Sequence, residues 1–221
     1  MMNIKNLIER LPKKQYDIVL KIWLNTYRKY TNAKDKIKLA QFKKPTYKKL
    51  KLDNISYKIL IDPTNGHVDN YIYLNNFYEK NILLLIKKIL RKKDVFVDVG
   101  ANIGQHSIFA AKVVGLKGEV HSFEPIKKLQ EQIKKSINAN KLKNMTLHPY
   151  ACGNTTKEQT INILPHNIGG SSLKKNKSEQ KEKIKIIPLD TKITNANLVK
   201  IDVEGYEYNV LLGMKALSQK E

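Results

Sequence analysis

Residues 94–124 read DVFVDVGANIGQHSIFAAKVVGLKGEVHSFE, and this stretch decides the fold. Val95, Phe96, Val97 and Val99 form a short run of β-branched and aromatic residues without helical spacing, as expected of a strand buried on both faces. The run ends at Asp98-Val99-Gly100. Gly100 and Gly104 then bracket Ala101-Asn102-Ile103, where the chain must turn sharply and let a ligand approach its backbone. A helix is expected from about Gln105 to Val114, packing through Ile108, Phe109, Ala111 and Val113 and ended by Gly115 and Gly118. Val120 to Phe123 is a second apolar stretch, closing on Glu124-Pro125. Strand, glycine turn, helix, strand, acid is the βαβ plan for holding a nucleoside, the acid accepting hydrogen bonds from ribose hydroxyls.

The spacing narrows the nucleoside. A dinucleotide fingerprint needs G-x-G-x-x-G, whereas Gly100 and Gly104 enclose three residues, with Asn102 in the middle and Gln105 after them. NAD is disfavoured. Asp98 at the strand end would repel a pyrophosphate and would suit a ligand with a cationic amino group, such as the methionine part of S-adenosylmethionine. DVGANIG (98–104), SFEP (122–125) and KIDVEGYEYNVLLGMKAL (200–217) together resemble the signature blocks of the FkbM-type family of S-adenosylmethionine-dependent methyltransferases, over roughly Asn76 to Leu217. The resemblance implies a class I methyltransferase fold: a Rossmann-like α/β architecture with a mostly parallel sheet and helices on both faces. It implies S-adenosylmethionine as cofactor and a hydroxyl of a sugar or small metabolite as acceptor. The donor would be held by Asp98, the backbone around Gly100, Asn102 and Gly104, and Glu124, with the adenine edge near Ala151 and Cys152. Tyr78-Glu79 matches a pair that could help cover the cofactor, and Gly169-Gly170-Ser171-Ser172 looks like a loop near the acceptor.

Composition sets outer bounds. At 221 residues the chain is long enough for one sizeable α/β core. A single cysteine, Cys152, excludes an internal disulfide and fits a reducing, cytoplasmic compartment. Residues 1–12 interleave charged and apolar side chains and do not read as a secretory leader. Ile82 to Ile86 is followed by Lys87-Lys88, far short of the ~20 apolar residues that cross a bilayer. The formal charge is +21, which invites a nucleic-acid reading. Only Arg10, Arg28 and Arg91 are arginine, the residue that forks onto phosphates and base edges. The abundance of Lys, Asn and Ile points instead to an A/T-rich coding sequence. Nucleic acid is not favoured, although such a field would draw in anionic substrates or membranes.

Two domains are expected. Residues 1–44 read as a helical extension, with Tyr16, Val19, Leu20, Trp23, Leu24, Tyr27 and Tyr30 at helical spacing. This stripe is expected to pack on the catalytic domain or a second subunit; its basic character also suits an anionic membrane surface. Residues 45–221 form the cofactor-binding domain. Tyr47 to Lys51 reads as a basic connector, Ile55 to Ile61 as a strand, and Val68 to Leu74 as its hairpin partner. Helices are expected over Asn81–Lys92, from Pro125 to about Ala139, and over Tyr208–Leu217. Strands are expected over Met145–Tyr150, Thr160–Leu164, Ile184–Leu189 and from Leu198, with Lys174 to Lys183 a solvated charge run.

Asp202, Glu204 and Glu207 fall beyond the carboxyl end of the last strand, where open α/β sheets bind ligands. A capped helix accounts for Glu204 and Glu207 but poorly for Asp202. Methyl transfer requires alignment of acceptor, carbon and sulfur and removal of the acceptor proton. Asp202 and Glu204 are the candidates for that work, His106 and His166 the alternatives, and no metal site follows from the spacing. The strands after the glycine turn stop at a fourth, so the domain is expected to be cut short at its C-terminus. Its apolar edge is then expected to be exposed and prone to homo-oligomer formation. Two further classes compete: an inactive nucleoside-binding module, and a basic protein of nucleic-acid or membrane surfaces.

Overall fold

The computed structural model describes residues 32–164, 167–171 and 180–218. The proposed stripe from Tyr16 to Tyr30, His166, Ser172 and most of the charge run lie outside the described residues. The chain divides into two compact units, Met1–Lys43 and Lys44–Glu221. In the first, residues 32–41 are helical (α1).

The second unit opens with a hairpin, β1 (Thr46–Leu52) and β2 (Ile55–Ile61), paired antiparallel in full register. This corrects the sequence reading twice. The basic connector is a strand, because Leu50 and Leu52 are buried while the alternate Lys49 and Lys51 face out. The presumed hairpin partner is instead helix α2 (His67–Asn75), whose buried Val68 and Ile72 lie one helical turn apart. Helix α3 (Lys80–Ile89) follows, with Leu83 and Ile86 buried and Lys87 and Lys88 in its last turn, where cations oppose the helix dipole.

Then come β3 (Val95–Val99), α4 (Gln105–Val114), β4 (Glu119–Phe123), α5 (Lys127–Ala139) and β5 (Met145–His148), close to the spans expected. The unit ends with β6 (Ala151–Cys152), β7 (Lys157–Asn162), β8 (Lys181–Ile187), β9 (Leu198–Ile201), α6 (Glu207–Leu212) and α7 (Lys215–Ser218). Lys181 to Lys183, expected in a solvated run, belong to β8 and pair with β7. The single helix expected after β9 breaks at Gly213. A Cβ there would meet the Gly153 carbonyl oxygen at 1.9 Å, so the helix end and the β6 end touch backbone to backbone.

The main sheet has order β5-β4-β3-β9 and is parallel throughout. A three-stranded sheet, β6-β8-β7, stands beside it. Successive β3 residues serve opposite faces, as a pleated strand requires. Val97 and Val99 join Phe123, Leu189 and Val210 of α6 in one core. Asp98 between them meets Ser107 of α4 on the other face. Helices therefore cover both faces, the α/β plan read from the sequence. Among the described residues β9 is the outer strand of the main sheet, and its four residues are half-buried.

Side chains of α5 finish the free edge of β2. Ser136 Oγ accepts from Leu60 N at 2.9 Å, Gln132 Nε2 donates to Leu60 O at 2.7 Å, and Asn140 bonds both Lys58 N and Lys58 O. These bonds tie the hairpin to the helix after Glu124 and so place α2 and the residues beyond it beside the glycine turn.

Candidate active site

The glycine turn sits on the end of β4. Gly100 N and Ala101 N both donate to Phe123 O at 3.0 Å. Gly100 has φ +80°, and a Cβ on it would lie 2.0 Å from Asp202 O; only glycine permits this approach of the turn to the end of β9. Asn102 also takes a left-handed conformation. Its N–H donates to Glu124 Oε2 at 2.8 Å, while Ile126 N donates to Glu124 Oε1 at 3.0 Å. Two backbone donors thus aim a carboxylate that is only 4% exposed. Burial pushes the Glu124 acid up to about 8 against the pull of those two bonds.

A cleft opens here, enclosing about 930 Å³ of empty space, part of it open to solvent. Gly100, Asn102, Glu124, Ala151, Cys152, Asp202 and Glu204 all line it. Asn167, Gly169, Gly170, Ser171 and Tyr78 line it as well. Gly169 packs so closely on Asn102 that a Cβ would lie 2.2 Å from its Nδ2. Ile126, Leu129, Ile161 and Ile184 add apolar wall, together with Tyr150 and Cys152. Cys152 is buried and its thiol is pushed up by that burial, which suits a wall and not a nucleophile.

Two candidate residues stand elsewhere. Gly104 starts α4 in a left-handed conformation behind the cleft. Asp98, expected to meet a ligand's amino group, is fully buried and meets one supplied by the chain: Lys200 Nζ at 3.2 Å, with Ser107 Oγ donating to its other oxygen at 2.6 Å. Lys200 also lies 3.7 Å from Asp202. Sequence reasoning missed this lysine, yet the signal was present. Lys200 is the one charged residue within apolar β9, and it pairs in register with Asp98, the one charged residue within β3. Glu207 caps the following turn, its Oε1 accepting from Val203 N and Gly205 N. Glu204 sits in that turn with φ 53° and is pushed up by burial, then by Asp202 and Glu207.

Tyr78 is pinned at the cleft by Gln105, which the sequence did not flag. Gln105 is 3% exposed; its Oε1 accepts from Tyr78 N at 3.0 Å and its Nε2 donates to Tyr78 O at 2.7 Å. Glu79 takes a left-handed conformation before α3 and makes no side-chain capping bond. Among the described residues no group of three His, Cys, Asp or Glu is placed to hold a metal ion, and no helix is long and apolar enough to cross a membrane.

With this geometry in view, a family model described as Methyltransferase FkbM domain matches residues 98–220, more than half of the chain. The chain belongs to the FkbM methyltransferase family. A second model, for protein-L-isoaspartate(D-aspartate) O-methyltransferase, matches residues 19–158. Hexuronic acid methyltransferase AglP of Haloferax volcanii is 30% identical over 141 residues, which are 62% of this chain and 56% of that protein. The chain thus spans little more than half the length of the curated relative it matches. Among solved structures, a SAM dependent methyltransferase from Aquifex aeolicus is 20% identical with a TM-score of 0.30, covering 35% of this chain and 40% of the other. Precorrin-6y C5,15-methyltransferase from Geobacter metallireducens is 22% identical with a TM-score of 0.29, covering 31% and 35%. Scores this low carry no argument; the fold rests on the strand order.

The cofactor of this FkbM methyltransferase family is S-adenosylmethionine, and the cleft residues fit it. Glu124 is an aimed acceptor for a diol. The apolar part of the lining suits a planar base, and Gly100 brings backbone without a side chain to the cleft.

Proposed function

We propose that this domain transfers the methyl group of S-adenosylmethionine to a hydroxyl oxygen of a sugar or a small metabolite. The observation that carries the reading is Glu124, a buried carboxylate oriented by the backbone of the glycine turn and facing a cleft with an apolar end. The identity with a hexuronic acid methyltransferase supports a sugar as acceptor.

When bound, the cofactor supplies an electrophilic methyl carbon on a sulfonium. Glu124 holds the ribose hydroxyls, and the backbone from Gly100 to Asn102 borders the amino-acid part. Asp202, drawn toward Lys200, orients the acceptor hydroxyl. Glu204 has the better base, because its acid is raised by burial and by two neighbouring carboxylates. The proton it takes becomes far more acidic as the oxygen gains its methyl group, so a carboxylate is base enough.

The test follows radiolabelled methyl from S-adenosylmethionine into a panel of hexosides. Label should appear in an ether-linked product, and Glu204→Gln should lower kcat by about 10²–10⁴-fold with the donor KM within threefold. Unchanged kcat in Glu204→Gln would remove it as base; label in no acceptor of the panel would remove the sugar assignment.

A further inference from the structure

The bonds of the glycine turn divide into two sets. On the β4 side Gly100 N and Ala101 N donate to Phe123 O, and Asn102 N donates to the Glu124 carboxylate. On the β9 side one side chain gathers oxygens from three segments. Lys200 Nζ lies 3.2 Å from Asp98 Oδ1 in β3, 3.5 Å from Gly100 O in the turn and 3.7 Å from Asp202 Oδ2 past the end of β9. An ammonium has three N–H donors to share among them. The Lys200 side chain is 15% exposed. Gly100 and Asp202 line the cleft and Lys200 does not, so the ammonium acts on the cleft from behind.

Apart from this pair β3 and β9 are apolar, and a buried ion pair often does no more for stability than two apolar side chains of similar volume. What an apolar pair could not do is hold the carbonyl of the turn and a carboxylate of the cleft wall at a fixed distance from the sheet. Burial works against the charge on Lys200, and Asp98 and then Asp202 overcome it, so its pKa stands above the ordinary lysine value. Ser107 Oγ donates to the other oxygen of Asp98, which keeps that carboxylate from turning away. The cluster leaves no slack, since a Cβ on Gly100 would lie 2.0 Å from Asp202 O.

We infer that Lys200 is a positioning residue for the methionine part of the donor: from behind the turn it fixes the Gly100 carbonyl that borders this part and the Asp202 carboxylate beside it. The inference rests on the donor placement proposed above and adds a residue that touches neither substrate. The nucleoside half depends on the other set of bonds, through Phe123 and Glu124, in which Lys200 has no share. Loss of Lys200 is therefore felt at one end of the donor only.

The test titrates the full chain by calorimetry with S-adenosylhomocysteine and with 5′-methylthioadenosine, which keeps the nucleoside and the sulfur but lacks the amino-acid part. The parent should bind S-adenosylhomocysteine at least about tenfold tighter than the truncated ligand. Lys200→Met combined with Asp98→Asn removes one charge of each sign and strands no carboxylate. In that variant S-adenosylhomocysteine should weaken at least about tenfold while 5′-methylthioadenosine stays within about twofold. Lys200→Arg keeps the ion pair with Asp98 but moves the other two oxygens. It should give the same split at about threefold, and it carries the test if the neutral pair does not melt cooperatively. Losses alike for both ligands, no loss for either, or a parent that binds the two equally would overturn the inference. A parent that binds neither would overturn the donor reading beneath it.

Discussion

Glu124 combines two demands that pull in opposite directions: burial raises its acid to about 8, while two backbone N–H groups favour the ion. A diol donating two hydrogen bonds favours the ion further. Donor affinity is therefore expected to rise with pH, by up to about tenfold per pH unit below 8 and then level off. Calorimetry at pH 6.5, 7.5 and 8.5 reads this directly, and a flat profile would contradict it. His106 runs the other way. Its folded value, about 4, lies below the ordinary 6.5, so the unfolded chain takes the proton first. Its contribution is whole above pH 6.5 and is lost as pH falls through 4, on the order of 3 kcal/mol across that window. Thermal melts should show His106→Gln losing less stability than the parent between pH 7 and 5. The positions of Gly100 and Glu124 at the cleft could be anticipated from sequence because each is tied to a local turn. Gln105 could not, since a buried amide reading a backbone 27 residues away leaves no local pattern.

Pairing between elements decides what surrounds that turn. Lys200 to Met should destabilise the domain by about 3–5 kcal/mol, because Asp98 would be left buried and unpaired across the β3–β9 register. Adding Asp98→Asn should recover more than about 1 kcal/mol of that loss in denaturant titrations; additive losses would contradict a coupled pair. Ser136→Ala, which strips the partner from the buried Leu60 N–H, should cost about 1–3 kcal/mol. The sequence disclosed the inward stripe of α5 but not this use of its polar side chains, because serine, glutamine and asparagine on a helix default to solvent. The hairpin was misread for a related reason. Val68 and Ile72, four residues apart, satisfy both a period of two and a helical turn, and the lysines of β1 disguised a strand in which Leu50 and Leu52 are buried.

Across the whole molecule the formal net charge is +21, whereas among the described residues the cleft walls carry no lysine or arginine. Donor binding should accordingly change less than about threefold between 50 and 300 mM salt, even though a formal charge of +21 should hold the protein on a cation exchanger. The βαβ core and the parallel sheet were legible because a parallel sheet needs uninterrupted apolar runs joined by helices. The three-stranded sheet beside it was not, because β7 and β8 mix lysine and glutamate with their buried isoleucines. The most direct test of the account is calorimetry of S-adenosylhomocysteine with the full chain and with Glu124→Ala. The account expects saturable one-to-one binding that weakens at least about tenfold in the variant, with both proteins melting cooperatively. Equal affinity for the two proteins would contradict it.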